Sequence, residues 1–290
     1  MIEKSWISGK TRRENPVTQV DIISITYFGM VSRSAYMLDW CMRIASWNVS
    51  CYKLSKSASF EFDYEDKENP NYFADIINKV NPDVICLQEN YSNKETSFSE
   101  KIIKGTNLKY YLDAPGTRSY FNKKYYDTNT ILSKYDFEEK ENVLSINPKW
   151  QHTFSFGYTG ATYDEWFQIA KIKGLTMANV HFLPEKTFEK DYSKGIGNEY
   201  FEENLDLLKK YPFSLFIGDF NTVSLNKMLK KFAKEKNLVN IFKDVGTRPI
   251  PSGDVVIEDA IFCNRNLKII KKGLVKTRND HYLIWADIDT

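Results

Sequence analysis

The sequence predicts a mixed α+β domain, not a doubly wound parallel sheet. Three observations carry this. The chain has 290 residues, enough for one large domain or two small ones. Strand-like and helix-like segments alternate near both ends of it. In between, aromatic-rich stretches read as strands and hairpins and interrupt the βα rhythm that a parallel sheet requires.

The elements follow in order. Residues 1–41 stand apart as an N-terminal extension, either one added strand or an arm. Its apolar stretch "VDIISITYFGMV" is a poor signal-peptide core: it follows an acidic residue, carries Ser, Thr and Tyr, and lies far from the start. Met42 opens the domain, 42–290, with the strand "MRIASWNVS". An acidic loop (Glu61, Asp63, Glu65, Asp66, Glu68) leads into "NPNYFADIINKV". There Asn69 is placed to cap a helix and Pro70 to take its first turn, while Phe73, Ile76, Ile77 and Val80 form one stripe. Asn81-Pro82-Asp83 stops that helix before the strand "VICLQE" (84–89). "TNTILSKYDF" and "FSFGYTGATYDEWFQIAKI" read as strands and hairpins, and "LTMANVHF" (175–182) as a strand. An amphipathic helix over 198–211, the strand "FSLFIGDF", a basic-faced helix over 226–238 and the strands "DVVIEDAIFC" and "HYLIWADI" complete the chain.

Composition narrows the function. Forty basic and 38 acidic residues leave a formal charge of +2, so any polyanion site must come from local arrangement. The four cysteines show no C-x-x-C spacing, and Cys86 and Cys263 lie in apolar runs. They read as buried thiols, which suits a reducing, cytoplasmic compartment and argues against zinc. No apolar stretch is long enough to suggest a membrane span, and nothing implies an obligate protein partner.

Polar side chains recur where apolar strands stop: Asn48, Glu89, His181, Asp219, Asn221, Asp259, Asp280 and His281. In "GDFN", period-2 alternation puts Asp219 and Asn221 on one face and Phe220 on the other. Taken singly, an aspartate after an apolar strand is ordinarily a turn or cap residue. The ordered set points to chemistry. The hard oxygens of Asn48, Glu89, Asp219 and Asp280 suit Mg²⁺, with Mn²⁺ as a substitute, and carboxylates with histidines at such an ion activate water against a phosphoester.

The stretches "RIASWNV" (43–49), "PDVICLQE" (82–89), "NVHF" (179–182), "FIGDFNT" (216–222), "IEDAIF" (257–262) and "RNDHYLIWADI" (278–288) stand in an order and spacing that resembles the endonuclease/exonuclease/phosphatase superfamily, the group of exonuclease III and pancreatic deoxyribonuclease. The resemblance implies a four-layer α/β/β/α sandwich, with two mixed sheets face to face and helices outside. It implies that Glu89, Asp280 and Asn48 serve the metal, with Asn48 and Asn221 on phosphate oxygens. It implies Asp219 as the group that orients or deprotonates water, Asp259 as the partner of His281 at the scissile phosphate, and His181 as the acid for the leaving oxygen. Departures lie at Asp127-Thr128-Asn129-Thr130, at Asn279 and in the loop 183–198, and no acidic partner for His181 can be assigned. A nuclease or DNA-repair phosphodiesterase acting on nucleic acid is the leading expectation. Lysines 227, 230, 231, 234, 236, 268, 271, 272 and 276 with Arg278, and Tyr110, Tyr111, Tyr120, Phe121, Tyr125 and Tyr126, are candidate contacts, although each group also reads as a solvated face or as sandwich packing. The alternatives are an enzyme of the same fold acting on a phosphoinositide or sphingomyelin, for which 156–167 would be the apolar lip, and a non-catalytic binding module.

Overall fold

The computed structural model describes residues 22–26, 41–56, 68–93, 97–119, 124–153, 159–250 and 252–289. The acidic loop from Glu61 to Asp66, together with Tyr120 and Phe121, lies outside them. Along the chain come β1 (Ile22–Thr26), β2 (Cys41–Asn48), α1 (Pro70–Val80), β3 (Val84–Ser92), α2 (Phe98–Lys104), β4 (Tyr110–Asp113), β5 (Thr117–Arg118), β6 (Tyr126–Ser133), β7 (Glu139–Leu144), β8 (Gln151–Thr153), β9 (Thr159–Ala161), β10 (Trp166–Ile172) and β11 (Leu175–His181). Then follow α3 (Gly195–Leu208), β12 (Leu215–Asp219), α4 (Leu225–Met228), α5 (Lys230–Glu235), β13 (Leu238–Asn240), β14 (Arg248–Pro249), β15 (Val255–Val256), β16 (Asp259–Asn264), β17 (Lys268–Val275) and β18 (Leu283–Asp289).

The strands make two large mixed sheets. One has the order β1-β17-β18-β2-β3-β6-β4, with β5 also on β6; the other runs β13-β16-β12-β11-β10-β7. Each contains one parallel pair joined by a helix: β2 and β3 across α1, and β11 and β12 across α3. All other pairings in the two sheets are antiparallel. β1, from the segment read as an extension, pairs along the outer edge of β17.

Period-2 alternation explains the layering, because both faces of the central strands are apolar. Met42, Ile44, Val84 and Cys86 face inward and meet Met177, Leu215, Ile217 and Ile261 of the other sheet. Ala45, Trp47, Ile85 and Leu87 face outward, onto Phe73, Ile76, Ile77 and Val80 of α1 and Phe98 and Ile102 of α2. Across the molecule Phe216 and Phe262 face outward, onto Phe201, Leu205 and Leu208 of α3 and Leu229 and Phe232 beside α4 and α5. Three apolar layers thus separate helix, sheet, sheet and helix, as expected of the α/β/β/α sandwich. Burying each such large side chain contributes about 1.5–3 kcal/mol.

Several local expectations need correction. Asn69 occupies the N-cap of α1, but its side chain makes no capping bond. At the other end Asn81 closes the helix in a left-handed conformation (φ 51°), which asparagine tolerates well. α3 lies earlier than 198–211, because Pro212 disfavours helical geometry at Tyr211. The basic helix is broken in two at Leu229 (φ −84°, ψ 1°), a break that keeps Leu225, Leu229 and Phe232 all buried. Lys227, Lys230, Lys231 and Lys234 are exposed there, whereas Lys236 Nζ donates to the carbonyls of Lys209 (2.7 Å) and Tyr211 (2.8 Å). All four cysteines are free thiols, with Cys86 and Cys263 buried. No helix of the described residues is long and apolar enough to cross a membrane.

Candidate active site

The carboxyl ends of the two parallel pairs meet at one rim, and β16 and β18 begin there. Gly218 sets the register in the second sheet. Its φ is +147°, and a Cβ added to it would stand 1.8 Å from the carbonyl oxygen of Val180, its partner across the strand pair. Only glycine allows that approach, and the next pair in register is His181 beside Asp219. Asp219 in turn faces Asp259, the first residue of β16, across the antiparallel pairing. In the first sheet, β3 carries a bulge between Leu87 and Asn90. Glu89 sits in it at φ 53°, so its side chain is re-aimed out of the strand alternation. Between the sheets a buried amide layer fixes one rim to the other: Gln88 Nε2 donates to Asn179 Oδ1 (2.8 Å), and Asn179 Nδ2 to Gln168 Oε1 (2.9 Å).

These devices bring the predicted residues together. Asn48 Nδ2 donates to both Glu89 Oε1 and Asp219 Oδ2, at 2.9 Å each. Its Oδ1 accepts the Ser50 N–H (2.9 Å), which fixes the amide so that its NH₂ faces the two carboxylates. Asn48 is therefore a donor to the acids. Asp219 Oδ2 lies 3.9 Å from His181 Nε2 and 3.7 Å from His281 Nε2. His281 Nδ1 sits 2.9 Å from Asp259 Oδ2 and 3.1 Å from Oδ1. Asp280 accepts the Ser50 hydroxyl, at the start of a turn whose residues Ser50, Cys51 and Tyr52 all have positive φ (41°, 58° and 60°). Asn221 reaches the site differently from the alternation argument. The strand ends at Asp219, and Asn221 turns back at φ 51° with its N–H on Asp219 Oδ1 (2.8 Å). Phe220 is buried in the outer core.

Burial and charge set the protonation. Burial alone would push the imidazole of His281 down, but Asp259, Asp219 and Asp280 outweigh it and lift the pKa to about 10. Burial likewise opposes the charge on His181, and Glu165, Asp219 and Glu89 raise its pKa to about 9. Burial raises Asp219 to about 6 against the pull of His281. Asn221 couples to this balance. Its Nδ2 donates to the Phe182 carbonyl (2.9 Å) and lies 3.0 Å from His181 Nε2. While Asn221 donates there, Nε2 is bare and the proton of His181 is on Nδ1; taking up a second proton breaks that contact.

The set has the oxygen donors that a hard cation takes. Glu89 Oε1 and Asp219 Oδ2 converge on one amide, and among the described residues their ion-pair partners are histidines alone. Asp219, Asp259 and His281 also offer atoms that all lie within 4.8 Å of one another. Converging carboxylates with no lysine or arginine between them fit a divalent cation with oxygen preference.

Comparison with known proteins follows this geometry. Residues 45–271 match the sequence model of the endonuclease/exonuclease/phosphatase family. The chain belongs to that family. Solved structures of the family agree on the fold. The catalytic domain of human nocturnin superposes with a TM-score of 0.60 at 14% identity, covering 96% of this chain and 99% of that one. A mannosyl-6-phosphatase from Bacteroides thetaiotaomicron gives 0.57 at 14%, with 85% and 99% covered. An AP endonuclease from Archaeoglobus fulgidus gives 0.55 at 14%, with 86% and 100% covered. No match was found among curated protein sequences.

Two acids of this family member escaped the sequence reading. Glu165, buried just before β10, places Oε1 3.2 Å from His181 Nδ1 and is the acidic partner that could not be assigned. The signal was present in "TYDEWF", an acid amid aromatics, but only the pairing of β10 with β11 brings it to the histidine. Asp127, one of the departures from the family pattern, accepts the thiol of Cys51 (3.2 Å), and burial together with Glu89 raises its pKa to about 7.

Proposed function

We propose that this phosphoesterase of the endonuclease/exonuclease/phosphatase family is a divalent-metal-dependent phosphodiesterase acting on nucleic acid. The observation that carries the reading is a buried carboxylate, Asp219, between two imidazoles that each have a carboxylate of their own: Asp259 behind His281 and Glu165 behind His181. One polar centre thereby contains a base and two proton donors. Asp219, with its pKa raised to about 6, is matched to take a proton from water near neutral pH. His281, cationic in that range, offers Nε2–H to a non-bridging phosphate oxygen while Asp259 holds its Nδ1. Asn221 presents its amide beside His181, and His181 delivers a proton to the departing alkoxide with Glu165 stabilising the imidazolium. Glu89, with Asp219 converging beside it, would hold a hard divalent cation, which when bound would supply positive charge to the phosphate oxygens. A phosphodiester has the poor alkoxide leaving group for which such a proton donor is worth most.

Among the similar structures the AP endonuclease supports a nucleic-acid substrate, although a mannosyl-6-phosphatase stands beside it at the same identity. The segment expected to supply an apolar lip for a lipid is described only in part. Residues 156–158 lie outside the described ones, and the remainder forms β9 on β8 and then buries Glu165 inward. The test is a panel of plasmid, single-stranded and abasic DNA, RNA, sphingomyelin and inositol phosphates, each with Mg²⁺ and with a chelator. Metal-dependent cleavage of a nucleic acid, lost in Glu89→Ala and His281→Ala, is expected. Turnover of sphingomyelin or an inositol phosphate alone refutes the nucleic-acid assignment.

A further inference from the structure

One cation that the sequence reading did not single out stands at the edge of the site. Arg248 lies on β14, and its neighbours tie this segment to the catalytic frame. Thr247 Oγ1 accepts the N–H groups of Glu258 (3.2 Å) and Asp259 (3.0 Å). The Thr247 carbonyl accepts the N–H of Tyr282 (2.8 Å), the residue after His281. The same short segment therefore touches the chain at Asp259 and at the residue after His281. Arg248 Nη1 donates to Glu258 Oε2 at 2.5 Å. Glu258 is buried, with 2% of its side chain exposed, while Arg248 keeps 21%. Nη1 is the one guanidinium nitrogen of Arg248 with a hydrogen bond among the described residues.

A buried ion pair is a weak device for stability, since an apolar pair of similar volume serves the fold as well or better. A guanidinium locked from behind by a buried carboxylate, on a side chain that keeps some exposure and with the rest of its fork free of hydrogen bonds among the described residues, is instead the form in which arginine takes phosphate oxygens. Its neighbours put Arg248 beside the scissile centre and outside it. Arg248 makes no hydrogen bond to Asp219, Asn221, His181 or His281, the residues that surround the scissile centre, yet Asp280 and Asp219 lie within its electrostatic reach. We propose that Arg248 is a specificity residue that binds a second substrate phosphate, the one next to the phosphate being cleaved. The proposal deepens the phosphodiesterase reading and rests on it: the preferred substrate would carry phosphates on neighbouring positions, as an oligonucleotide or a nucleoside bisphosphate does.

Binding separates this proposal from its parent. Thymidine 5′-monophosphate and thymidine 3′,5′-bisphosphate are titrated calorimetrically into the full chain with Mg²⁺. Arg248→Met alone would leave Glu258 buried and unpaired, so it is combined with Glu258→Gln, and folding is checked by thermal melting. Arg248→Lys keeps the charge without the fork. The wild type is expected to bind the bisphosphate tighter by about tenfold or more, the scale of one charge-assisted contact. The double variant should bind both ligands equally, with monophosphate affinity unchanged, and Arg248→Lys should fall between. The salt dependence of bisphosphate binding should drop by about one unit of slope in the double variant. Equal affinities in the wild type overturn the proposal, as does a preference that survives in the folded double variant. A wild type that shows the preference but cleaves no nucleic acid supports the contact and overturns the substrate reading.

Discussion

Asp259→Asn removes the charge behind His281 with almost no change in shape. Asp259 Oδ2 lies 2.9 Å from Nδ1, and both side chains are almost wholly buried. Two unit charges at that distance, with an effective dielectric of about 20, attract by about 6 kcal/mol before the cost of burial. The net value of a hydrogen bond to a charged group is smaller, about 1.5–3 kcal/mol. The asparagine removes the largest influence that raises His281 above its ordinary 6.5 to about 10. It can also turn its NH₂ toward Nδ1, which makes Nδ1 an acceptor and leaves a neutral ring with its one proton on Nε2, a donor without the positive charge that the phosphate draws on. Loss of that charge from a donor aimed at the phosphate lowers kcat/KM by about 10²–10³, the scale of removing one group that stabilises developing negative charge. The direction in pH follows from the same shift. Because the folded pKa lies above the unfolded one, the imidazolium stabilises the native state fully below about 6.5, and that contribution disappears as pH rises through about 10. The variant should lose both activity and thermal stability at lower pH than the wild type. The assay is kcat/KM with Mg²⁺ from about pH 5 to about pH 10 on the best substrate of the panel, with melting curves at each pH. A folded variant with wild-type kcat/KM and an unmoved alkaline limb refutes the role of His281.

Three further outcomes are expected. Glu165→Gln should slow hydrolysis of an alkoxide-leaving substrate by about 10²-fold, yet leave a p-nitrophenyl ester nearly unaffected, because only the poor leaving group needs the proton of His181; equal loss on both would remove His181 from that role. Mg²⁺ in excess should raise the melting temperature of the wild type and leave that of Glu89→Ala unmoved, since a ligand stabilises only the state that binds it; an equal rise in both would place the cation elsewhere. Gly218→Ala should cost about 3 kcal/mol or more in urea unfolding, because the Cβ would meet the Val180 carbonyl at 1.8 Å and the backbone there is held in a strand pair; a cost under about 1 kcal/mol would mean that the two strands part easily.

What the sequence displayed, and what it withheld, divides along physical lines. Strands β2, β3, β11, β12, β16 and β18 are rich in apolar residues, and a polar residue stands near the end of β2, β3, β11 and β12 and at or before the start of β16 and β18, so their existence and the site at that rim can be read from the chain itself. Short-range geometry was harder. "GDFN" was expected to expose Asp219 and Asn221 by strand alternation; the two do share a side, but through a turn with Asn221 at φ 51°. The bulge that aims Glu89 leaves no local mark, because it arises from how β3 pairs with β6. Glu165, Arg248 and Glu258 were invisible for a further reason: an acid or a base in a loop or in a two-residue strand has no periodicity, and its partner is decided by strand neighbours that only the folded sheet supplies.

The burial of the site follows from the same arrangement. Asp219, Asp259, His181, His281 and Glu165 are all nearly excluded from water, and any one of them alone would be costly there. They are tolerated together because charges alternate around the ring: Glu165, His181, Asp219, His281, Asp259. Each imidazole lies between two carboxylates, and the central carboxylate lies between two imidazoles. The outer bonds are short, at 3.2 and 2.9 Å, whereas the central contacts are 3.9 and 3.7 Å. The outer acids therefore fix the rings and their charge, while Asp219 is held near both without being consumed by either. A base that must accept a proton from water needs that looseness: had the inner contacts closed to hydrogen bonds, Asp219 would be a structural ion-pair member with its basicity spent. Under the proposed function, the asymmetry between tight outer pairs and open inner ones is what separates this cluster from a buried salt-bridge network of the same composition.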